Sequence, residues 1–302
     1  NTALERNDLM LNPRDPTIVA NKKSIDSFAN SKSDYEIFSG LANRLGFEST
    51  FTDNKNEMEW IEFLWEESKK IAKDFKINLP DFKKFWTNGF YEVPCPDKKK
   101  IMFENFRNDP ENFPLKTPSG KIEISSDTIE SFQLKDCLSH PSWFEPYEWL
   151  GKINKYTLHL ISNQPTHRLH GQLDNASDSR KSKIKDREPV LINSSDANKR
   201  SIQDDDIVML YNDRGKVLAG AILSEDVMPG VVVLSTGAWF DPNYTLNTEV
   251  HGNPNVLTND VGTSSLGQGP TSHTTLIEIK KASKEEIADV MIFNSLSFKE
   301  NT

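Results

Sequence analysis

Residues 158–175 read LHLISNQPTHRLHGQLDN, and their second half concentrates side chains that can grip a polar ligand. Asn163, Gln164 and Gln172 each carry a donor and an acceptor, the pairing that the amide edge of a heteroaromatic ring presents. Arg168 offers a planar donor fork suited to a phosphate, and Ser162, His167 and His170 add further hydrogen-bonding atoms. A second polar stretch, residues 239–275, holds Asn259, Asp260 and Gln268 beside Gly262, Gly267 and Gly269, whose main-chain N–H groups could approach a phosphate. Long loops without regular structure are uncommon in compact domains and are often functional. Two of them suggest one shared surface for a large ligand with many hydrogen bonds. Plainer uses stay open: Arg168 can sit in a salt bridge, Asp260 can close its own turn, and either loop can simply be solvated.

Other chemistries find less support. His167, His170 and His251 lack a fourth ligand at zinc spacing and a helix to align the pair. Cys95 and Cys137 form no CxxC pattern, so neither a zinc knuckle nor an iron–sulfur site is encoded. No GxSxG elbow occurs, no strand-GxGxxG-helix unit supports a Rossmann site, and no carboxylate stands out as a general acid. No catalytic residue and no protein metal ligand is assigned. Trp239 and Phe240 could line a substrate funnel or pack in a core.

The elements that must position these loops are short strands. Apolar residues alternate over 156–161, and further runs at 190–193, 206–211, 217–223, 231–235 and 276–279 are separated by turn signals, the pattern of a barrel. Ser195 is expected to cap a short helix through Arg200. Upstream the texture is helical. Ser33 with Glu36 forms a capping box before Ile37, Phe38, Leu41, Ala42 and Leu45, with Gly46 as the stop. A longer amphipathic helix is predicted over 56–75, its core face marked by Met58, Ile61, Leu64, Trp65, Ile71, Ala72 and Phe75. Pro80 marks the start of another, ending near Gly89. Residues 1–32 read as loop, 100–106 and 120–126 as strands about a Ser119–Gly120 turn, and the aromatic run Trp143, Phe144, Tyr147, Trp149 as a seam joining domains. Beyond residue 281, SKEEIADVM reads as a short helix followed by a frayed tail.

Composition narrows the partners. The 302 residues carry a net charge of -9, and a pI near 5.3 argues against a nucleic-acid surface. The one basic run, RKSKIK at 180–185, reads as a solvated loop. No stretch reaches the roughly 20 apolar residues of a membrane span.

Five blocks in order, SNQPTHRLHGQLDN, REPVLINSSDA, NDRGKVLAGA, MPGVVVLSTGAWFDP and HGNPNVLTNDVGTSSLGQG, resemble the C-terminal cofactor-binding domain of molybdopterin oxidoreductases. The likeness is to the branch that reduces dimethyl sulfoxide, trimethylamine N-oxide and biotin sulfoxide. The upstream blocks SDYEIFSGLANRLGFESTFT and TPSGKIEISSDTIESF are similar to the same branch. The resemblance implies an α/β plus β fold: the C-terminal part of an α/β catalytic body over 1–150, a double-psi β-barrel over 151–282 and a tail over 283–302. It implies molybdenum held by two molybdopterin guanine dinucleotides, and reduction of an S-oxide or N-oxide (methionine sulfoxide among the possible substrates) by oxygen-atom transfer. An electron donor, a cytochrome or reductase, would be a partner. The two loops, through Ser162, Asn163, Gln164, His167, Arg168, His170, Gln172, Asn259, Asp260 and Gln268, would wrap the cofactor. Chains of that family are far longer, so this one looks like a C-terminal fragment, with the protein ligand to molybdenum and the leader that separates periplasmic from cytoplasmic enzymes expected upstream. The alternative is a non-catalytic barrel that binds a nucleotide-like ligand or a partner protein.

Overall fold

The computed structural model describes residues 1–13, 15–95, 101–152 and 155–294. It divides into two compact units, Asn1–Pro114 and Leu115–Thr302. The boundary lies upstream of the division expected at residue 150. Residues 115–150 group with the barrel, where the Glu148 carboxylate meets Arg214 and Asp136 accepts from the Ser265 N–H at 2.8 Å.

In the first unit, strands β1 (Asp8–Leu11), β2 (Thr17–Asn21) and β3 (Phe90–Glu92) form an antiparallel sheet. The expectation of a loop over 1–32 is corrected here: Pro13 and Pro16 lie in the turn between β1 and β2 and leave both strands free to pair. Helix Asp34–Arg44 starts at its Ser33–Glu36 capping box, and Gly46 follows it at φ +81°. Helix Glu57–Asp74 starts at a second capping box, Asn56 with Glu59. Only Ile61 and Trp65 of its apolar stripe are buried; Leu64, Ile71 and Phe75 are exposed. Trp65 stacks on Phe85 with ring centroids 3.7 Å apart, and its indole N–H donates to the Pro80 carbonyl at 2.9 Å. Phe85 belongs to helix Phe82–Asn88, which Asp81 rather than Pro80 precedes and Gly89 ends at φ +90°.

The strands expected over 100–106 and 120–126 do not form at the described residues. Glu104–Asn108 is a short helix, and Ile122 and Ile124 point into solvent at 67% and 80% exposure, so their alternation has no partner sheet to cover it. Nor is the aromatic run a buried seam within its unit, since Trp143 and Tyr147 are each 72% exposed.

The second unit is built on a closed ring. Strands β4 (Leu158–Ile161), β5 (Pro189–Ile192), β6 (Ile207–Tyr211), β7 (Lys216–Leu223) and β8 (Val231–Leu234) are joined by the short β9 (Pro242–Asn243) and β10 (Thr248–Glu249), and by β11 (Thr275–Lys281). The order β5-β8-β4-β11-β6-β7 returns to β5, so six strands close with no free edge. The pairs β4–β8 and β5–β7 are parallel and the others antiparallel, the mixed ring of the expected double-psi β-barrel. Alternate residues fill its interior: Leu158 and Leu160, Val190 and Ile192, Val208 and Leu210, Val217 and Ala219, Val232 and Leu234, Ile277 and Ile279 are all buried. Each large aliphatic side chain among them contributes roughly 1.5–3 kcal/mol by leaving water. Helix Ser194–Asn198 is capped by Asn193, not Ser195: the Asn193 side chain accepts from the Ser195 N–H. The helix expected over SKEEIADVM is shortened to a 3-10 turn, Lys284–Glu286, because Ile287 is already extended. The frayed tail expected beyond residue 294 lies outside the described residues. No helix among the described residues is long and apolar enough to cross a membrane.

Candidate functional site

Parallel pairing decides where the loops meet. Ile161 at the end of β4 lies beside Val233 near the end of β8, so the chain leaves both strands at one rim. The antiparallel β11 begins at that rim, with Thr275 opposite Leu160. The first polar loop, the segment after β8 and the second polar loop therefore converge. They are tied together there: Thr236 N–H donates to the Asn163 carbonyl at 2.9 Å, and Ser235 Oγ to Asn163 Oδ1 at 2.8 Å.

Between them lies a cleft of about 560 Å³. Ser162 and His170 line it from the first loop, Asn259 and Asp260 from the second, with Thr236, Asn255, Thr258, Pro270 and Ser272. Four of the ten expected site residues thus face one space, across a stretch of chain that separates them widely. Asn163 instead braces the rim. Gln164 Nε2 donates to the Arg168 carbonyl at 2.8 Å and shapes the loop from within. His167 Nε2 lies 2.9 Å from Arg168 Nη1 and 3.2 Å from Ser182 Oγ. Gln172 is exposed beside a small bridge to Leu169, and Gln268 Nε2 closes its own loop on the Ser264 carbonyl at 2.9 Å. Neither is among the cleft-lining residues.

Arg168 is placed differently from the phosphate contact expected of it. Its side chain is wholly buried, with Nη2 donating to Glu188 at 2.8 Å and to the Thr236 carbonyl at 2.9 Å, and Nη1 to Ser179 Oγ at 3.3 Å. Both terminal nitrogens are committed to protein partners, while the buried Nε has none among the described residues. The basic run at 180–185 is likewise not all solvated: Lys183 is buried, 2.8 Å from Asp174 and 3.0 Å from Glu188. Two cations and two carboxylates, Arg168, Lys183, Asp174 and Glu188, balance one another inside the unit. Burial raises the Asp174 carboxyl, but the hydrogen bond and charge of Lys183 and the amide of Trp239 outweigh it, and the group is held below its ordinary value.

Sequence reasoning named Arg168, His251 and Trp239 singly, but neither the quartet as a set nor Glu249. His251 is fully buried, and its Nδ1 lies 2.8 Å from the Trp239 carbonyl, which can only accept, so the ring proton sits on Nδ1. Burial, with the nearby charge of Lys183, lowers its pKa and keeps the ring neutral at pH 7. The Glu249 carboxylate accepts from the N–H groups of Asp241, His251, Gly252 and Asn253 at 2.8–3.1 Å, yet burial still pushes it up to about 7. Trp239 links this interior to the loop, its indole N–H donating to the Gly171 carbonyl at 2.6 Å. Phe240, by contrast, is exposed. Among the described residues no group of three or more His, Cys, Asp or Glu is arranged to hold a metal ion, and Cys95 and Cys137 are free thiols.

Residues 158–276, the stretch from β4 to β11 that frames the cleft, match the family described as "Molydopterin dinucleotide binding domain". Over 281 residues the chain is 41% identical to a biotin sulfoxide reductase of Cereibacter sphaeroides, covering 92% of this chain and 38% of that one. It is 41% identical over 290 residues to a trimethylamine-N-oxide reductase of Haemophilus influenzae, covering 93% and 35%. Residues 158–276 thus belong to the molybdopterin dinucleotide-binding domain family. The chain spans little more than a third of the length of the curated relatives it matches. A solved structure of acetylene hydratase from Pelobacter acetylenicus shares its fold, with a TM-score of 0.68 over 92% of this chain and 37% of that one at 16% identity. The cofactor class of the C-terminal unit is accordingly molybdenum with molybdopterin dinucleotide. The cleft fits such a group in kind, since Asn259, Asp260, Ser162 and His170 present amide, carboxylate, hydroxyl and imidazole atoms to one space.

Proposed function

We propose that this chain forms the cofactor-gripping part of a molybdenum enzyme that removes an oxygen atom from an S-oxide or N-oxide, the molybdenum being carried by two molybdopterin guanine dinucleotides. The observation that supports this most is the cleft in which two polar loops, distant in sequence, meet at one rim of the barrel. Asp260 can accept from a ring amino group, Asn259 can match an amide edge, and Ser162 and His170 can bond a phosphate or ring nitrogen. The bound group supplies the two-electron oxygen-transfer chemistry. The chain's own work is to orient it and to shield one side of it from water. The electron donor would be a cytochrome or reductase, and the substrate class follows the relatives named above.

The deciding experiment measures molybdenum by elemental analysis and acid-released guanine on one sample of the intact native protein. About one molybdenum and about two guanines per chain are expected. Protein made with the cofactor pathway intact that holds neither would refute the reading and leave a binding module.

A further inference from the structure

After β11 the chain returns along residues 283–294 to the buried groups that back the first polar loop. It is fastened at two points: Arg187 Nη2 donates to the Ala288 carbonyl, and the buried Asp241 carboxylate accepts from the N–H groups of Met291 and Ile292 at 2.6 and 2.9 Å. Those successive bonds set the register that delivers Phe293. Its ring stands edge-on to His251 at 4.9 Å and 89°, lies 6.1 Å from the Trp239 ring, and has the Arg180 guanidinium 4.9 Å from its centroid.

Trp239 carries the contact onward. Its indole N–H holds the Gly171 carbonyl, and an added Cβ on Gly171 would stand 3.5 Å from the indole, in van der Waals contact. The next residue back, His170, lines the cleft and takes the left-handed conformation at φ +49°. Its carbonyl would lie 1.9 Å from a Cβ on Gly237, so the loop is pressed against the segment that leads into Trp239. Phe293, Trp239, Gly171 and His170 thus form one continuous path from the tail to the cleft.

We propose that Phe293 is a positioning residue for the cofactor loop: the tail fixes the Trp239 indole, and the indole fixes Gly171 and the conformation of His170 toward the dinucleotide. This rests on the reading of the cleft as the molybdopterin dinucleotide site. Coupling of this kind is reciprocal, so the bound dinucleotide also fastens the tail. An aromatic contact of this type corresponds to about two- to tenfold in an equilibrium constant.

The test uses the intact protein with Phe293→Ala and Phe293→Tyr. In cofactor-free protein, Phe293→Ala is expected to speed hydrogen exchange of the amides at 167–173 severalfold while those of β6 and β7 are unchanged. In loaded protein it is expected to speed loss of guanine nucleotide by a similar factor, and Phe293→Tyr restores both. Uniformly faster exchange through the barrel, or a lower melting temperature with unchanged exchange at 167–173, would make Phe293 an ordinary packing residue and overturn the proposal. Should the wild type hold no molybdopterin dinucleotide, the reading of the cleft fails by itself. The exchange at 167–173 then still decides whether the tail positions the loop.

Discussion

Replacing Lys183 with methionine removes one charge from a closed electrostatic set while keeping most of the side chain's length. In the wild type, Arg168 and Lys183 oppose Asp174 and Glu188, with side chains no more than 1% exposed. The variant therefore leaves an uncompensated negative charge where water cannot reach it. Breaking a buried pair in this way costs about 3–5 kcal/mol, against total stabilities of about 5–15 kcal/mol for a domain. In a unit of this size the melting temperature should fall on the order of 10 °C. Urea unfolding at pH 7 measures the loss directly, and the double variant Lys183→Met/Glu188→Gln, which restores neutrality, should recover part of it. The pH dependence gives an independent check. Asp174 is depressed in the folded wild type, so its contribution is present above the ordinary aspartate pKa and is lost as pH falls through the folded value. Without Lys183 that acid-side loss should shrink. A loss below about 1 kcal/mol at pH 7, the value of a solvent-exposed pair, would refute the reasoning.

Two further substitutions probe the same unit. Because burial pushes Glu249 up to about 7 from 4.5, the folded state binds its proton more tightly than the unfolded chain, and stability should fall by about 3 kcal/mol as pH rises from 4.5 through 7. Denaturation midpoints across that range should show the slope in the wild type and not in Glu249→Gln, which starts lower because one of its two acceptor oxygens is lost; equal slopes would assign the titration to another group. Asp260→Ala should weaken dinucleotide retention about tenfold, as expected for loss of a charged hydrogen bond, with unfolding changed by less than about 0.5 kcal/mol since the residue is exposed. Retention assays paired with thermal melts separate the two effects.

The barrel strands were legible because burial on one face imposes a period of two, as in Leu158 and Leu160 or Val208 and Leu210. The helices beginning at Asp34 and Glu57 were legible from their capping boxes, which are local chemistry. What could not be read locally depended on partners. The alternation around Ile122 and Ile124 finds no sheet, whereas Leu9 and Ile18, on either side of two prolines, do. Charge misled in a related way. Lys183 and Lys181 are two residues apart in one basic run, yet the first is buried between carboxylates and the second points to solvent. Arg168 lies in the first polar loop, but its partners Glu188 and Thr236 come from elsewhere in the chain, and no local spacing announces them. The convergence of Ser162 and His170 on Asn259 and Asp260 required the parallel pairing of β4 with β8, a property of topology rather than of spacing.

The ring order of the barrel also sets a timetable for biosynthesis. Among the described residues, strand β11 alone pairs with both β4 and β6, joining Thr275 to Leu160 and Lys281 to Val208. Until residue 281 has cleared the ribosome, the ring has a gap between two strands made long before, and the second polar loop has no anchored end. Pairings that bridge such separations form late and leave strand edges exposed while they wait. A nascent chain therefore has no completed cleft to offer. On the proposed reading of the cleft, loading of the dinucleotide follows translation of the barrel.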